Sequence, residues 1–337
     1  YSLAEEFGLS VDPSVKIEGC ESGHPDAPAI DQNYVFMRQK LRDVLAFWQS
    51  GQTALKIEGD PATGKTSIIT QFHARLRWPL CKVMCSPSTE ATKLIGQIYP
   101  QLDGTFKWVD GPVVKAARHG YSVLLDEYNL LDPGQATGLN ILLEGGSFTI
   151  EETGELIVPA PGFRVFATEN SALSRLSVAG RNLQDAANDD RFMHTTADYL
   201  PAELEIKAVC NELLTQGTEA SQAQLLAEQL VGVANQVRKA YRTGDCGLVR
   251  DDEDRIVKRR DDDPRRPWDG GIDKPMSTRV VIRWALLVTR FLRVSPEEGG
   301  PAVYSLLRAF KMNPDMRESV SAMVHYALGT EPVHAAA

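Results

Sequence analysis

Gly59-Asp60-Pro61-Ala62-Thr63-Gly64-Lys65-Thr66-Ser67 is the stretch whose residue types and spacing bear most directly on chemistry. It fits the spacing G-x-x-x-x-G-K-[ST], with the apolar run Ala54-Leu55-Lys56-Ile57 before it and Ile68-Ile69-Thr70-Gln71-Phe72 after it. Strand, glycine-bearing loop and helix in that order make a phosphate site: the glycines let the backbone turn several N–H groups toward one anion, and the helix adds the positive end of its dipole. Lys65 then reaches the β and γ phosphates, and the Thr66 hydroxyl holds Mg2+. The competing reading is an ordinary glycine-rich turn.

Further along, Tyr121-Ser122-Val123-Leu124-Leu125-Asp126-Glu127 is an apolar strand that ends in two acids. Open α/β sheets bind ligands at the carboxyl ends of their strands, so the acids belong beside the phosphate loop. Asp126 is expected to hold Mg2+, directly or through water, and Glu127 to act as general base toward the attacking water. A helix N-cap at Asp126 is the alternative. The strand Phe163-Arg164-Val165-Phe166-Ala167-Thr168 runs into Glu169-Asn170, where a neutral amide, Asn170, can orient water or the γ phosphate without adding negative charge. Arg191, in Asp189-Asp190-Arg191-Phe192, lies past this strand and cannot easily reach its own phosphate loop. It is a candidate to act in trans on a neighbouring subunit's nucleotide, against the alternative of a surface salt bridge to Asp189 or Asp190. Arg279 stands in the first turn of a helix, where its charge opposes the helix dipole. That placement favours an anionic partner such as the γ phosphate over a plain surface position.

The elements that must position these groups follow from periodicity. Residues 1–33 carry Pro13, Pro25 and Pro28 with little pattern and read as an extended leader. Over 34–200 short apolar runs (Ala54 to Ile57, Leu80 to Cys85, Tyr121 to Leu125, Phe163 to Ala167) alternate with helical patterns, which predicts an α/β parallel sheet with helices on both faces. A β-hairpin, about 147–159, is inserted into that core around Thr153-Gly154. Residues 201–337 predict a helical domain: Ala202 to Leu214, Ser221 to Tyr241, Ser277 to Leu292 and two shorter helices ending near Leu328. A charged insertion, about 243–274, interrupts it with Asp251-Asp252-Glu253-Asp254, Lys258-Arg259-Arg260, Asp261-Asp262-Asp263 and Arg265-Arg266. Mixed charge blocks read as a solvated loop ahead of a nucleic-acid contact. Phe106-Lys107-Trp108 reads either as an insertion facing a client or as core packing.

The composition of the 337 residues, 43% hydrophobic and 24% charged, is that of a globular protein with room for two domains. A net charge of −9 argues against a surface made mainly to grip nucleic-acid phosphates. Five cysteines with no C-x-x-C pair indicate neither a disulfide framework nor a zinc knuckle. Six scattered histidines show no H-E-x-x-H spacing. No apolar run approaches a membrane span and no signal sequence is evident at Tyr1 to Glu6, so the chain reads as cytoplasmic.

Taken in order, Gly59 to Thr66, Asp126-Glu127, the hairpin, Asn170, Asp190-Arg191-Phe192 and Ser277-Thr278-Arg279 resemble the AAA+ ATPases, specifically the MoxR branch. Phe7-Gly8-Leu9, Ala29 to Phe36, Arg77-Trp78-Pro79, Phe166 to Asn170 and Tyr199-Leu200-Pro201 look closer still to the ATPase subunits of aerobic cobaltochelatases. The resemblance implies an AAA+ P-loop NTPase core with a C-terminal helical lid, and ATP and Mg2+ as cofactors. It gives Lys65 and Thr66 as ligands, Asp126 and Glu127 as the hydrolytic pair, Asn170 as sensor one, Arg191 as the trans finger and Arg279 as sensor two. A homo-oligomer, a hexameric ring, is implied as well, with a partner that carries a von Willebrand-type metal-ion domain. Asp60-Pro61-Ala62 and the charged insertion depart from the chelatase pattern. The expected function is thus an ATP-hydrolysing ring motor that remodels a protein partner. A nucleic-acid translocase on the same core and a nucleotide-dependent scaffold are the other two readings.

Overall fold

The computed structural model describes residues 1–330 except 22, 172–185, 252, 254, 261–262, 264 and 266–267. Of the charged blocks, Asp252, Asp254, Asp261, Asp262 and Arg266 lie outside the described residues. The chain divides into two compact units, Tyr1–Asp60 with Gly64–Asp198, and Pro61–Thr63 with Tyr199–Ala337.

The first unit opens with α1 (Leu3–Phe7) and, after an extended stretch, α2 (Arg38–Ser50). Then come β1 (Ala54–Gly59), α3 (Lys65–Leu76), β2 (Leu80–Met84), α4 (Ala91–Ile95), β3 (Gly96–Pro100), β4 (Phe106–Asp110), α5 (Pro112–His119) and β5 (Ser122–Asp126). Two short helices, α6 (Pro133–Thr137) and α7 (Asn140–Leu143), lead to the strand pair β6 (Phe148–Thr149) and β7 (Leu156–Ile157). The unit closes with β8 (Arg164–Asn170), α8 (Ala186–Asp189) and β9 (Met193–Ala197).

Five strands pair in the order β2-β5-β8-β1-β9, and every pairing is parallel. Side chains alternate across a strand, so a sheet covered on both faces sorts neighbouring residues into opposite cores. Val123, Leu125, Val165 and Ala167 join one buried cluster with Phe192 and Tyr128. Leu124, Phe166, Leu55 and Ile57 join the other, with Phe47, Ile68, Ile69 and Phe72. Lys56 sits between Leu55 and Ile57 yet is only 1% exposed. Its ammonium is paired with Asp189 and lies 3.4 Å from Glu169 Oε2, with the Phe192 ring 5.3 Å away. A buried lysine holds its charge only with such partners.

Two features depart from the expected layout. β9 follows Arg191 and pairs with β1, so Arg191 precedes the fifth strand of the sheet instead of lying past its last one. Phe106-Lys107-Trp108 falls in the β3–β4 hairpin, and the two readings of it divide by residue: Trp108 packs against the core while Phe106 is 75% exposed. The leader packs too, with Leu3, Phe7 and Ile17 buried in the same cluster as α3. Glu6 pairs with Arg77 at 2.5 Å.

The second unit contains α9 (Ala202–Thr215), α10 (Ala220–Thr243), β10 (Leu248–Arg250), β11 (Ile256–Lys258), α11 (Thr278–Arg290), α12 (Gly300–Ala309) and α13 (Pro314–Leu328). Glu219, Ser277 and Asn313 cap α10, α11 and α13 by accepting backbone N–H groups. Arg238 makes a bidentate pair with Glu205 at 2.6 and 2.7 Å, and both are buried. Its Nε also donates to the Met276 carbonyl at 2.7 Å. The charged segment is not wholly loop: β10 and β11 form an antiparallel hairpin that buries Leu248, Val249 and Ile256. Three apolar residues inside a charged run suffice to seat two short strands on the helices. No described helix is long and apolar enough to cross a membrane.

Candidate nucleotide site

β1 ends at Gly59 and α3 begins at Lys65, so the intervening loop must reverse within five residues. It does so with two residues at positive φ, Ala62 at 63° and Gly64 at 84°. Gly64 needs no side-chain accommodation there, whereas Ala62 holds a left-handed conformation at a cost of about 1 kcal/mol. Within the second unit the Tyr199 hydroxyl donates to the Pro61 carbonyl at 3.1 Å. Arg238 and Arg242 lie 4.4 and 5.3 Å over that ring.

Lys65 is buried, and its ammonium donates to the Gly59 and Asp60 carbonyls at 3.0 Å each and to Asn170 Oδ1 at 2.9 Å. The other end of the same amide, Asn170 Nδ2, donates to Glu127 Oε2 at 2.5 Å. One neutral side chain therefore ties the loop lysine to the acid, and only one orientation of the amide satisfies both neighbours. Thr66 Oγ1 donates to Asp126 Oδ1 at 2.7 Å. A hydroxyl and a carboxylate side by side form an oxygen-only donor set of the kind Mg2+ takes.

Register explains why these groups meet. β1 and β8 pair Gly59 with Asn170, which sets the lysine loop and the amide at one level. β5 pairs with β8 up to Leu125 and Ala167, so the two acids emerge opposite Thr168 and Glu169. Glu127 adopts φ 58°, a left-handed turn that ends β5 abruptly and starts a single 3-10 turn at Tyr128. Asp126 is therefore the end of a strand and not a helix cap.

The cluster thus joins Lys65, Thr66, Asp126, Glu127 and Asn170. Arg191 stands apart: its Nε lies 2.8 Å from Glu144 Oε1, and Nη1 donates to the Ala187 carbonyl. The alternative reading, an ion pair with Asp189 or Asp190, is not the one formed: the pair is with Glu144. Asp189 is taken by Lys56. Arg279 belongs to the second unit, exposed in the first turn of α11, two residues after the capping Ser277.

Two residues escaped the sequence reading. Thr168 is fully buried, and its hydroxyl donates to Asp126 Oδ1 while accepting from the Glu127 N–H at 3.2 Å. Its signal was its place two residues before Asn170, on the same face of β8. Lys40, 7% exposed in α2, donates to the Asp198 carbonyl. Burial brings its ammonium down to about 8; the Asp198 carboxylate opposes that drop and nearby Lys65 adds to it. Nothing in the periodicity of α2 marks this lysine. Cys85, next to the acids, has its thiol pushed up to about 12, mainly by burial and then by Asp126 and Glu127. It is a packing residue and no nucleophile. Among the described residues no group of three or more His, Cys, Asp or Glu is placed to hold a metal ion.

Residues 55–192 match the family model for the AAA domain (dynein-related subfamily), and residues 212–327 match the CbbQ/NirQ/NorQ C-terminal model. The chain is 27% identical to aerobic cobaltochelatase subunit CobS of Sinorhizobium sp over 257 residues, 74% of this chain and 76% of that one. It is 30% identical to the denitrification regulatory protein NirQ of Stutzerimonas stutzeri over 210 residues, 62% of this chain and 73% of NirQ. Midasin of Giardia intestinalis is 29% identical over 184 residues, 54% of this chain and only 4% of midasin. With the phosphate loop, paired acids and bridging amide on one parallel sheet, the chain belongs to the AAA+ ATPases of the MoxR type, in the company of CobS and NirQ.

Proposed function

We propose that this ATPase is a Mg-ATP-hydrolysing ring motor, a hexamer in the leading reading, that remodels a partner protein carrying a von Willebrand-type metal-ion domain. The observation that carries the reading is the Asn170 amide shared between Lys65 and Glu127. Such a bridge couples the presence of the γ phosphate at the lysine to the freedom of the acid. When phosphate oxygens replace Asn170 Oδ1 at Lys65, the amide can turn toward the incoming water and Glu127 is free to accept its proton. The water oxygen bonds to the γ phosphorus as the bond to the β–γ bridging oxygen breaks, and ADP leaves with the electron pair. Thr66 and Asp126 would hold the Mg2+, which when bound neutralises charge on the β and γ phosphate oxygens.

Arg191 completes the pocket of the neighbouring protomer. It precedes Met193, which pairs with Leu55, four residues and about 13 Å of strand short of Gly59. That supports action in trans over reach to its own loop. Glu144 and Ala187 hold the guanidinium in place until a γ phosphate competes for it. Arg279 acts as the lid's contact to the same phosphate. The client side is assigned to the β3–β4 hairpin, where Tyr99, Leu102 and Phe106 are 49%, 111% and 75% exposed. Whether the client is a metal-inserting complex, as the name of CobS suggests for that protein, or another assembly is decided by what co-purifies with the ATP-loaded ring.

Glu127→Gln tests the reading. The variant is expected to bind ATP and assemble while losing turnover; turnover at the wild-type rate would remove Glu127 from the mechanism. A second reading, a nucleic-acid motor, draws on Lys239, Lys258, Arg259 and Arg260 around a hollow of about 320 Å3 in the second unit. Steeply salt-dependent stimulation of turnover by DNA would favour it, and indifference to DNA would count against it.

A further inference from the structure

At the opposite pole of the first unit from Asn170, β8 begins beside a second hollow, of about 400 Å3. Arg164 and Asn170 are the two ends of one strand and share its face, roughly 20 Å apart. The hollow lies far enough from the phosphate loop that no group of the nucleotide site reaches it. Its walls include Trp48, Trp78, Arg164, Lys16, Glu18 and Gly162. A volume of this size accepts a small organic ligand rather than a folded segment.

The chemistry of the wall is specific. Trp48 and Trp78 stand edge to face with centroids 5.1 Å apart, and the Arg164 guanidinium lies 5.7 Å over the Trp48 ring. Gly162, at φ 96°, lets Trp78 lie against the backbone: a Cβ there would come within 2.5 Å of the indole. Two N–H groups of this wall, Trp78 Nε1 and Arg164 Nε, are shielded from water and meet no acceptor. Buried donors are almost always satisfied, and each orphan costs about 1–3 kcal/mol. Among the described residues no carboxylate stands within ion-pair distance of Arg164; Nη1 spends itself on the Phe163 carbonyl, and Glu18 acts on the guanidinium only from a distance. Burial lowers the Arg164 pKa below its ordinary value, a sign that its charge is under-compensated. Lys16, also in the wall, adds a second cation that no carboxylate pairs with among the described residues.

An indole wall, an under-compensated guanidinium and two donors without acceptors call for one kind of guest. We propose that this hollow is a ligand site for a small planar carboxylate, its ring against the indoles and its oxygens accepting from Arg164 and Trp78. The acceptor atoms supply what the wall lacks, and the flat body replaces water on apolar surface.

Isothermal titration of the full chain with indole-3-carboxylate, and with indole-3-carboxamide as the neutral isostere, tests the site. One saturable site is expected for the carboxylate, with affinity about tenfold or more above that of the amide. Arg164→Met should weaken it by about tenfold or more, and Trp78→Phe, which keeps a ring but loses the N–H, severalfold. Trp78→Phe alone decides the matter if Arg164→Met does not fold by its thermal melt. Lys65→Ala should bind the carboxylate as the native chain does. The proposal is overturned by absence of saturable heat at millimolar probe, by equal affinity for the two probes, by native affinity in Trp78→Phe, or by loss of binding in Lys65→Ala.

Discussion

Replacing Thr168 by valine keeps the shape of a fully buried side chain and removes only its hydroxyl. Two interactions go with it: the bond donated to Asp126 and the one accepted from the Glu127 N–H. A hydrogen bond to a carboxylate contributes about 1.5–3 kcal/mol, and a buried N–H left without an acceptor costs about 1–3 kcal/mol. Partial relaxation brings the expected loss to about 3 kcal/mol, or roughly 6–12 °C in the melting of the first unit. The effect on catalysis should be larger than that on binding. Glu127 sits at φ 58°, a backbone conformation its side chain does not favour, and the Thr168 hydroxyl is part of what holds it there. Released, the carboxylate no longer points from the position that faces Asn170. We expect kcat to fall by about 10–100-fold, which corresponds to about 1.4–2.8 kcal/mol, with KM for ATP changed by less than about threefold because Lys65 is untouched. Thr168→Ser, which restores the hydroxyl, should recover most of the rate. The assay is steady-state phosphate release beside thermal melts of the three proteins. A valine variant with native kcat, or a serine variant as slow as valine, would refute the assignment of Thr168 as the residue that positions both acids.

Two further outcomes concern stability. His73 is fully buried among Trp48, Phe72 and Phe166, and burial brings it down to about 4 from an ordinary 6.5. The unfolded chain therefore binds a proton that the folded one refuses, so stability is complete above pH 6.5 and declines by up to about 3 kcal/mol as the pH falls to 4. His73→Leu should flatten that acid limb in denaturant titrations; an unchanged slope would show that other groups cause it. Glu205→Ala strands the buried Arg238 guanidinium and should cost about 3–5 kcal/mol, while the double change with Arg238→Met should cost less than the single one.

The legible part of the site was the part built on local order. Gly59, Gly64 and Lys65 are close in sequence, and their spacing describes one loop. Asp126 and Glu127 stood out because a buried parallel strand has no other reason to end in two acids. Thr168 and Lys40 were hidden for the opposite reason: their partners lie across the sheet or after its last strand, and a hydroxyl or lysine within an element looks like any surface polar residue until the register is known. β9 was missed because Met193-His194-Thr195-Thr196-Ala197 offers little apolar alternation, being held by its pairing with β1 more than by its own side chains. The β10–β11 hairpin was read as loop because dense charge outweighs three buried apolar residues in any window average. Pattern sees what a segment prefers by itself, and these segments take their form from neighbours.

The central claim is that ATP cleavage is completed across a subunit boundary, with Lys65 to Thr66 on one side and Arg191 on the other. Neither Lys65→Ala nor Arg191→Ala rings should turn over at more than a small fraction of the native rate. Mixed at equal ratio and allowed to exchange subunits, they create boundaries that pair an intact loop with an intact arginine, and roughly a quarter of the native phosphate release should return if sites act independently. A mixture that never rises above its two inactive parents, or Arg191→Ala rings that hydrolyse ATP at the native rate, would contradict it.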